Sequence, residues 1–364
     1  MIIPVNHASS HTLNKKSRSE EGEATVSGPE DAIEDLRVSV GLRIDDEHLS
    51  RALMNGLRDV EKLLHESVRS EVSAVEEAAL HLVDAGGKRF RPLFTLMAAQ
   101  FGNGASAEVI TAATAVELVH LATLYHDDVM DEATMRRGAE SANTRWNNTV
   151  AILTGDFLFA QASRLVADLG TDAARIIAET FGELVTGQMR ETIGPARGED
   201  PIARYLSVIA QKTGSLIATS GWFGAMLSGA PPEQIQALRR FGSLIGAAFQ
   251  ISDDILDIAS SSVELGKSQG TDLREGVRTL PVLYALADPG TDARLVELLS
   301  SPLSEDALIT ETLGLLRGSA GLTQAQATLS DYSHRAMNEL TTLPVSPART
   351  ACESIAEYLI ARTH

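Results

Sequence analysis

Two acid-rich stretches of the sequence, YHDDVMDEATMRRG and FQISDDILDI, each carry three aspartates at positions i, i+1 and i+4. They are Asp127, Asp128 and Asp131 in the first stretch and Asp253, Asp254 and Asp257 in the second. Residues four apart share one face of an α-helix, so each stretch presents two carboxylates together with a third beside them. Acidic helical turns are often simply solvated, but apolar neighbours around the second stretch would make unpaired carboxylates costly. We therefore predict that both stretches bind a hard divalent cation such as Mg²⁺ across one cleft.

Basic residues occur close to these stretches and inside short apolar segments. They are Arg136 and Arg137 after the first stretch, Lys88, Arg89 and Arg91 in GGKRFRP, Lys212 in an apolar helical segment, and Lys267 after the second stretch. Guanidinium groups bind phosphate oxygens with fork-like geometry, and a Gly-Gly turn before a helix can bind an anion through its backbone. Each cation taken alone is also compatible with an ordinary surface position. Together with metal-binding acids, they indicate a site for one or two diphosphates.

The composition of the 364-residue chain argues against several classes of protein. A formal net charge of −18 argues against nucleic acid as a partner. Cys352 is the only cysteine, so no intrachain disulfide can form and a reducing cytoplasm is the expected location. The apolar stretches are short and interrupted by polar residues, which predicts no transmembrane span.

Apolar residues at three- and four-residue spacing predict helices almost throughout the chain from about residue 46. Alternating β-branched and polar residues are missing, so no strand is predicted. The breaks between helices contain Gly or Pro and do not resemble an interdomain linker. We therefore predict one all-α domain over residues 41–364. The polar residues 1–40 lack a signal-peptide core and are predicted to be a flexible extension, with a partner-binding arm as the alternative.

Five segments occur in an order and spacing typical of one enzyme family. They are GGKRFRP, HDDVMDEATMRRG, QKTGSL, FQISDDILD and GKSQGTDLREGVRTLP. With these segments the chain resembles the all-trans isoprenyl diphosphate synthases, also called polyprenyl synthetases, from about Arg51 to the C-terminus. The resemblance implies the isoprenoid-synthase fold, an all-α bundle around a deep central cavity, and a homodimer. It also implies addition of isopentenyl diphosphate to an allylic diphosphate with three Mg²⁺ ions at the two aspartate motifs.

The resemblance assigns roles to individual residues. The residues matched to catalysis are Asp127, Asp128, Asp131, Lys212, Asp253 and Asp254. Those matched to metal binding are Asp127, Asp131, Asp253 and Asp257, with Asp254 or Asp257 acting through a water. Lys88, Arg91, His120 and Arg137 match the pocket for isopentenyl diphosphate, and Arg136, Lys212, Thr213, Gln250 and Lys267 match groups that hold the allylic diphosphate. His126 is interpreted as a structural neighbour.

The residues before the first acid-rich stretch bear on product length. In the family, a bulky residue four or five positions before this motif stops elongation, and here these positions hold Thr123 and Ala122. Both are small, so we predict a product longer than the farnesyl or geranylgeranyl chain, although small residues are also ordinary in helix packing. The segment RRGAESANTRWNNTVAILTGDFLFAQA resembles synthases that make quinone side chains, as for menaquinone. One departure is Val277, where many members have lysine, and weaker binding of the allylic substrate is expected.

Other hypotheses remain open at this point. A phosphohydrolase of the HD type would use His126 and Asp127 as metal ligands, but it would need further histidines that the second acid-rich stretch lacks. A non-catalytic partner subunit would usually have lost one aspartate motif or the Gly-Lys segment. A short-chain farnesyl or geranylgeranyl synthase is disfavoured by the small Ala122–Thr123 pair. The leading hypothesis is a cytoplasmic long-chain polyprenyl diphosphate synthase, peripheral to a membrane where its product passes to membrane enzymes.

Overall fold

The computed structural model describes residues 41–260, 269–301, 303 and 305–363. Secondary structure in these residues is α-helical except for one π-helical turn and one short hairpin whose two strands have two residues each. The all-α prediction is therefore confirmed. Two predictions concern residues outside the described ones: the flexible extension at 1–40 and the diphosphate-binding role of Lys267.

The elements are labelled in chain order. The first half contains α1 Glu47–Ser67, α2 Ser73–Asp84, α3 Phe90–Ala99, α4 Ala107–Met130, β1 Met135–Arg136, β2 Ala139–Glu140, α5 Ala142–Arg145, α6 Asn148–Ala167 and α7 Thr171–Ile193. The second half contains α8 Pro201–Ile209, the π-helical turn Ala210–Gly214, α9 Ser215–Leu227, α10 Pro232–Ala259, α11 Thr271–Glu275, α12 Leu280–Ala287, α13 Ala293–Leu298, α14 Asp306–Arg317, α15 Ala320–Leu340 and α16 Pro347–Ala361.

Helix α4 is the centre of the bundle. Apolar residues occupy most of its sides, so the helix is buried along most of its length, as a helix without a polar face must be. Ser106 caps its first turn by accepting a hydrogen bond from the backbone N–H of Val109 at 3.3 Å. The helix packs against α6, α3, α9 and α1. Its acidic C-terminal turn is the part that leaves the core.

Helix α10 is the second long core helix, and it packs against α9 and α15. The second acid-rich stretch occupies its last turns, beside a small apolar cluster that includes Ile258, Leu273 and Leu313. Both aspartate motifs therefore lie at the C-terminal ends of core helices. The unpaired carbonyls of a helix C-terminus add negative potential there, which favours bound cations.

Helices α4 and α6 are long and apolar enough to cross a membrane by length and composition alone. Helix α4 is a core helix, however, and α6 packs along it. Core helices of soluble proteins have the same length and composition, so these two helices are weak evidence for a membrane protein.

The β1–β2 hairpin was not predicted. It pairs Arg136 with Ala139, and the two turn residues, Arg137 and Gly138, have φ angles of 54° and 78°. Two successive positive φ angles are typical of the tight hairpin turn that matches strand twist, and glycine adopts them readily. The hairpin reverses the chain just after the first acid-rich stretch and so directs Arg136 and Arg137 to different partners.

Candidate active site

The first acid-rich stretch forms the last turn of α4 and its C-cap. Asp127 is half-buried, whereas the capping residue Asp131 is exposed. The backbone N–H of Asp131 donates to the carbonyl of Asp127 at 2.8 Å, so both residues lie on one side of the turn. Burial raises the pKa of Asp127 to about 6; Lys212 opposes this shift and Asp131 adds to it. The turn therefore presents two neighbouring carboxylates, and the positive charge of Lys212 does not compensate for the burial of Asp127.

Asp128 supports this turn from inside the protein. It is fully buried, and its Oδ1 accepts a hydrogen bond from Nε of Arg136 at 2.6 Å. Its Oδ2 has no hydrogen-bond partner within the described part of the chain. Burial raises the pKa of Asp128, and Arg136 acts against this shift. Asp128 thus fixes the hairpin, and Arg136 is held by an internal carboxylate in this state.

Arg137 lies in a backbone cradle made by the Gly-Gly turn. Its guanidinium donates to the carbonyls of Gly86 and of Leu82, the latter at 3.1 Å. Gly87 has a φ of 133°, and a Cβ atom there would lie 2.7 Å from the guanidinium carbon of Arg137. Any larger residue at this position would both strain the backbone and push Arg137 away. The Gly-Gly turn is therefore needed to place this guanidinium.

A buried carboxylate, Glu117, organises the arginines around this cradle. Its Oε1 lies 3.0 Å from Nη1 of Arg89 and 3.7 Å from Nη2 of Arg137. Arg89 also pairs with Glu61 at 2.5 Å and donates to the carbonyls of Gly86 and Val83. All three guanidinium nitrogens of Arg89 donate hydrogen bonds within the protein, so Arg89 has a structural role in the cradle.

Arg91 and His120 lie beside Arg137. Burial lowers the pKa of Arg91 to about 10; Glu117 opposes this shift and Arg137 adds to it. Nε of Arg91 has no hydrogen-bond partner among the described residues. Burial, followed by the neighbouring Arg91 and Arg137, holds the pKa of His120 well below its usual value. Three of the four residues predicted for one diphosphate thus come together, and the fourth, Lys88, is exposed on the adjoining turn.

In the second acid-rich stretch, Asp254 is the buried member. One of its oxygens accepts a hydrogen bond from the hydroxyl of Tyr205 and the other accepts one from Nε2 of Gln250 at 3.1 Å. Burial raises the pKa of Asp254 to about 7, and the two hydrogen bonds oppose this shift. Gln250, predicted to hold the allylic diphosphate, is therefore engaged with Asp254 in this state.

The other two acids of this stretch face outward, contrary to the prediction that apolar residues surround all three. The side chain of Asp253 is 64% exposed, and its Oδ1 accepts a hydrogen bond from Arg362 at 2.7 Å. Asp257 is half-buried and accepts the backbone N–H groups of Thr271 and Asp272, both at 3.3 Å. Neighbouring apolar residues in the sequence point into the core, so the helix keeps two carboxylates on its open side.

Asp272 adds a further carboxylate to this side. Burial raises its pKa to about 6, and the nearby Asp257, Glu275 and Asp253 raise it further. The segment GTDLREG contains Asp272, but nothing in the local spacing marks it as a partner of the second acid-rich stretch.

Lys212 lies in the π-helical turn between α8 and α9, and not in a continuous α-helix as predicted. Its Nζ pairs with Glu191 at 2.5 Å, and its side chain is 33% exposed. A Cβ atom at Gly187 would lie 2.8 Å from the backbone nitrogen of Lys212, so the turn packs closely on α7. Such turns occur frequently at functional sites because they redirect one side chain. Thr213 follows in the same turn and is half-buried.

Glu191 and Lys212 connect the two acid-rich stretches. Both residues lie within electrostatic range of Asp127. Glu191 also lies within range of Tyr205, the hydrogen-bond partner of Asp254. The two stretches therefore lie on either side of Lys212 and Glu191, and the region that contains Asp127, Asp131, Asp253, Asp257 and Asp272 is called the acidic cleft.

The donor atoms of this cleft fit a hard divalent cation. Within the described ranges, no three acidic, histidine or cysteine side chains converge into a complete metal cage. The carboxylates are instead separated from one another. The raised pKa values of Asp127 and Asp272 indicate that nearby positive charge does not compensate for their burial. Mg²⁺ keeps several waters and completes its coordination with substrate phosphate oxygens, so separated carboxylates suit it.

His126 contacts α6 and not the acidic cleft. Its Nε2 lies 3.2 Å from the carbonyl of Ile152 and 3.4 Å from Asp156, and a Cβ atom at Gly155 would clash with the ring. This position agrees with the structural interpretation of His126 and gives no support to a phosphohydrolase of the HD type.

The two residues predicted to control product length lie just below the first acid-rich stretch. Ala122 is buried, and the half-buried Thr123 donates its hydroxyl to the carbonyl of His120 at 2.8 Å. Both side chains are small, and neither contains an aromatic ring. Val277, the departure from the family pattern, is exposed after α11.

Sequence reasoning missed several residues that hold the site together. They are Glu117, Glu191, Tyr205, Asp272 and Arg362. One signal was available for Glu117, since a glutamate inside the apolar segment AVELVHLA needs a buried cation. The other four act across the fold and leave no local pattern.

Comparisons with known proteins match most of the chain. The family model described as polyprenyl synthetase matches residues 72–316. Nonaprenyl diphosphate synthase of Mycobacterium tuberculosis is 52% identical over 89% of this chain and 98% of its own. A geranylgeranyl pyrophosphate synthase structure from Corynebacterium glutamicum, complexed with calcium and isoprenyl diphosphate, has a TM-score of 0.80 and 48% identity over 88% of this chain and 99% of its own. A decaprenyl diphosphate synthase structure from Rhodobacter capsulatus has a TM-score of 0.80 and 32% identity over 87% and 99%.

Proposed function

Because this chain belongs to the polyprenyl synthetase family, we propose that it is a trans-prenyltransferase that makes a long-chain polyprenyl diphosphate. It would add isopentenyl diphosphate units head-to-tail to an allylic diphosphate. One observation carries the proposal: two acidic helix ends flank Lys212 and Glu191, beside a pocket formed by the guanidinium groups of Arg91 and Arg137, in which Nε of Arg91 has no hydrogen-bond partner among the described residues.

The reaction needs two anionic substrates held side by side in different surroundings. The allylic C–O bond breaks, and its electron pair leaves with the diphosphate. The double bond of isopentenyl diphosphate then attacks the allylic cation, and a proton lost from the new chain passes to the released diphosphate. No side-chain nucleophile is required, so the work of the protein is positioning and electrostatic stabilisation.

The guanidinium pocket suits isopentenyl diphosphate, whose diphosphate stays intact. Arg91 and Arg137 supply positive charge, and His120, kept neutral by its surroundings, can donate a hydrogen bond without adding charge. Lys212, Thr213 and Arg136 lie on the side of the acidic cleft and suit the leaving diphosphate.

Asp127, Asp131, Asp253 and Asp257 would hold the metal, with Asp254 keeping the second motif in place. We propose three Mg²⁺ ions per site. Bound Mg²⁺ supplies Lewis-acid stabilisation of the charge that develops on the leaving diphosphate. The all-oxygen donor set supports this choice of metal, as does the calcium in the related structure from Corynebacterium glutamicum.

A long product is supported by the small Ala122–Thr123 pair and by relatives named as nonaprenyl and decaprenyl diphosphate synthases. A quinone side chain is the proposed use. The second candidate is a geranylgeranyl diphosphate synthase, favoured by the 48% identity to the enzyme from Corynebacterium glutamicum.

Replacing Ala122 with Phe separates these candidates. The bulky ring should block a channel that extends along α4, so the main product should shorten by several isoprene units. Chromatography of the dephosphorylated alcohols measures this. A wild-type enzyme that stops at geranylgeranyl length would reject the long-chain proposal, and an unchanged long product in the variant would reject the role of Ala122.

We also propose a cytoplasmic homodimer that passes its product to membrane enzymes, peripheral at the membrane. Exposed apolar side chains on α6 and α7 support an interface there: Ile152, Leu153, Val185, Met189 and Ile193. Light scattering after gel filtration should give twice the chain mass, and Leu153→Asp should lower it toward one chain. A monomeric wild-type protein would contradict the dimer.

The proposed activity is tested by incubating the full chain with isopentenyl diphosphate, farnesyl diphosphate and Mg²⁺. Radiolabelled or mass-resolved long polyprenols should appear after dephosphorylation, and they should disappear when a chelator is present. Geranyl diphosphate in place of the farnesyl primer defines the allylic preference. Absence of any condensation with both primers, by a folded protein, would reject the proposal and favour a non-catalytic partner subunit.

A further inference from the structure

Arg362, at the C-cap of α16, lies directly on the second acid-rich stretch. Its Nη2 donates to Oδ1 of Asp253 at 2.7 Å, and its Nε donates to Oγ of Ser252 at 2.6 Å. The guanidinium also lies over the rings of Phe249 and Tyr358, at 5.6 and 5.8 Å from their centres. Only 14% of the side chain is exposed.

The position of Arg362 is fixed by packing and is not that of a free surface cation. Its backbone N–H donates to the carbonyl of Tyr358 at 2.9 Å, which continues the helix to its end. The next carbonyl, of Thr363, accepts a hydrogen bond from Nε2 of Gln326 on α15 at 2.7 Å. Helix α16 itself packs on α15 and α10. Because hydrogen bonds and two aromatic rings hold the guanidinium group of Arg362, its ion pair with Asp253 costs little side-chain entropy.

Asp253 therefore already has a cation on one oxygen, while most of its side chain faces solvent. A divalent cation at this carboxylate would lie within a few ångströms of the guanidinium, and charges of the same sign at that distance repel strongly. The neighbouring acids Asp257 and Asp272 attract a divalent cation, which carries twice the charge of the guanidinium group.

We infer that Arg362 is a built-in counter-cation of Asp253 that a divalent cation displaces, so that the C-terminal end of α16 loosens when the second acid-rich stretch is loaded with metal. The inference rests on the proposed function in one respect, since it takes Asp253 as a metal ligand. It goes beyond that function because it gives the C-terminus a competing role in metal binding.

The first test measures Mn²⁺ binding to the full-length protein without substrate, by the electron paramagnetic resonance signal of free Mn²⁺. Arg362→Gln removes the competitor and should bind Mn²⁺ about three- to tenfold more tightly than the wild type. Arg362→Lys keeps the charge but loses the fork geometry, and it should give an intermediate affinity.

Arg349→Gln is the matched control. Arg349 lies at the start of the same helix and pairs with Glu353 at 2.8 Å, so this variant loses the same charge about 20 Å away along the helix. Equal Mn²⁺ affinities in the Arg362→Gln and Arg349→Gln variants would overturn the inference. Asp253→Asn tests the proposed function separately, because unchanged Mn²⁺ binding in that variant would remove Asp253 from the ligand set.

The second test follows hydrogen exchange in the wild-type protein by mass spectrometry. Peptides that cover residues 358–363 should exchange faster after Mg²⁺ is added, whereas peptides from the first turns of α16 should not change. Unchanged or slower exchange at residues 358–363 in a protein that binds the metal would overturn the inference.

Discussion

The guanidinium pocket and the acidic cleft are adjacent, but they handle their charge in opposite ways. In the pocket, Glu117 and the cradle carbonyls hold Arg89 and Arg137 in place before any substrate arrives. In the cleft, burial raises the pKa of Asp127 more than Lys212 and Arg136 lower it, and burial together with Asp257, Glu275 and Asp253 raises the pKa of Asp272. The guanidinium groups of the pocket are thus held in fixed positions by internal partners, whereas burial leaves the carboxylates of Asp127 and Asp272 easier to protonate than usual.

This difference agrees with the roles we propose for the two halves. A diphosphate that only needs to be held is best bound by donors fixed in advance, because no ordering cost is then left for the binding step. A diphosphate that must leave needs charge stabilisation that is strong in the transition state, and metal ions supply it. The pocket therefore neutralises part of its charge with internal ion pairs, whereas the cleft contains carboxylates such as Asp127 whose burial the nearby cations do not offset.

The largest effect should come from neutralising Asp127, a half-buried carboxylate of the cleft. Asp127→Asn keeps the shape of the side chain but weakens metal binding, so kcat/KM for condensation should fall by about 1000-fold, a loss of several kcal/mol of charge stabilisation. The fold should survive, because the folded protein no longer contains a half-buried charge. Steady-state kinetics at saturating Mg²⁺ with circular dichroism tests both points.

Asp168→Asn serves as the control for this experiment, since Asp168 is an exposed acid at the end of α6. It should leave kcat/KM unchanged. Near wild-type activity of Asp127→Asn would mean that the carboxylate of Asp127 is not needed for the reaction.

A smaller effect, on stability, should follow from neutralising the buried hub of the pocket. Glu117→Gln leaves Arg89 and Arg137 with less counter-charge in the core, so the free energy of unfolding should drop by about 3 kcal/mol. Urea denaturation measures this change. Glu179→Gln, which breaks an exposed pair with Arg175, should leave the free energy of unfolding almost unchanged. If the two variants lose equal stability, the pocket is not preorganised by Glu117.

The smallest predicted effect is a gain in stability on neutralising Asp272 in the cleft, opposite in sign to the loss expected on neutralising Glu117 in the pocket. Asp272 has a folded-state pKa of about 6, raised by burial and by Asp257, so its ionisation destabilises the folded protein as pH rises toward and past 6. Asp272→Asn should therefore be more stable than the wild type in the absence of metal. Its advantage should be larger at pH 7 than at pH 5 by about 1 kcal/mol after allowance for solvent screening.

Thermal or urea unfolding at the two pH values measures this difference. If the stability advantage of Asp272→Asn shrinks as pH rises, the folded protein stabilises the charged carboxylate of Asp272. The contrast in charge between the cleft and the pocket would then not hold at Asp272.

Much of the site could be predicted from local sequence. The i, i+1, i+4 spacing placed Asp127 beside Asp131, and a predicted break at residue 259 coincides with the end of α10, where the second stretch lies. The helix of the first stretch ends at Met130, before the break predicted at residues 137–139. Burial was harder to predict. The prediction was that apolar residues surround the acids of the second stretch on most sides, but only Asp254 is buried, because the helix turns its apolar side chains inward and keeps Asp253 outside.

The sequence by itself determined the all-α class, the two carboxylate sets and the cationic segments, since these depend on helical periodicity over a few residues. Only the tertiary structure decided which remote residue completes each group. Arg89 pairs with Glu117 across 28 residues, Tyr205 with Asp254 across 49, and Arg362 with Asp253 across 109. Periodicity tells which face of a helix a side chain occupies, but the residue opposite that face is set by how distant helices pack, and no local pattern records that.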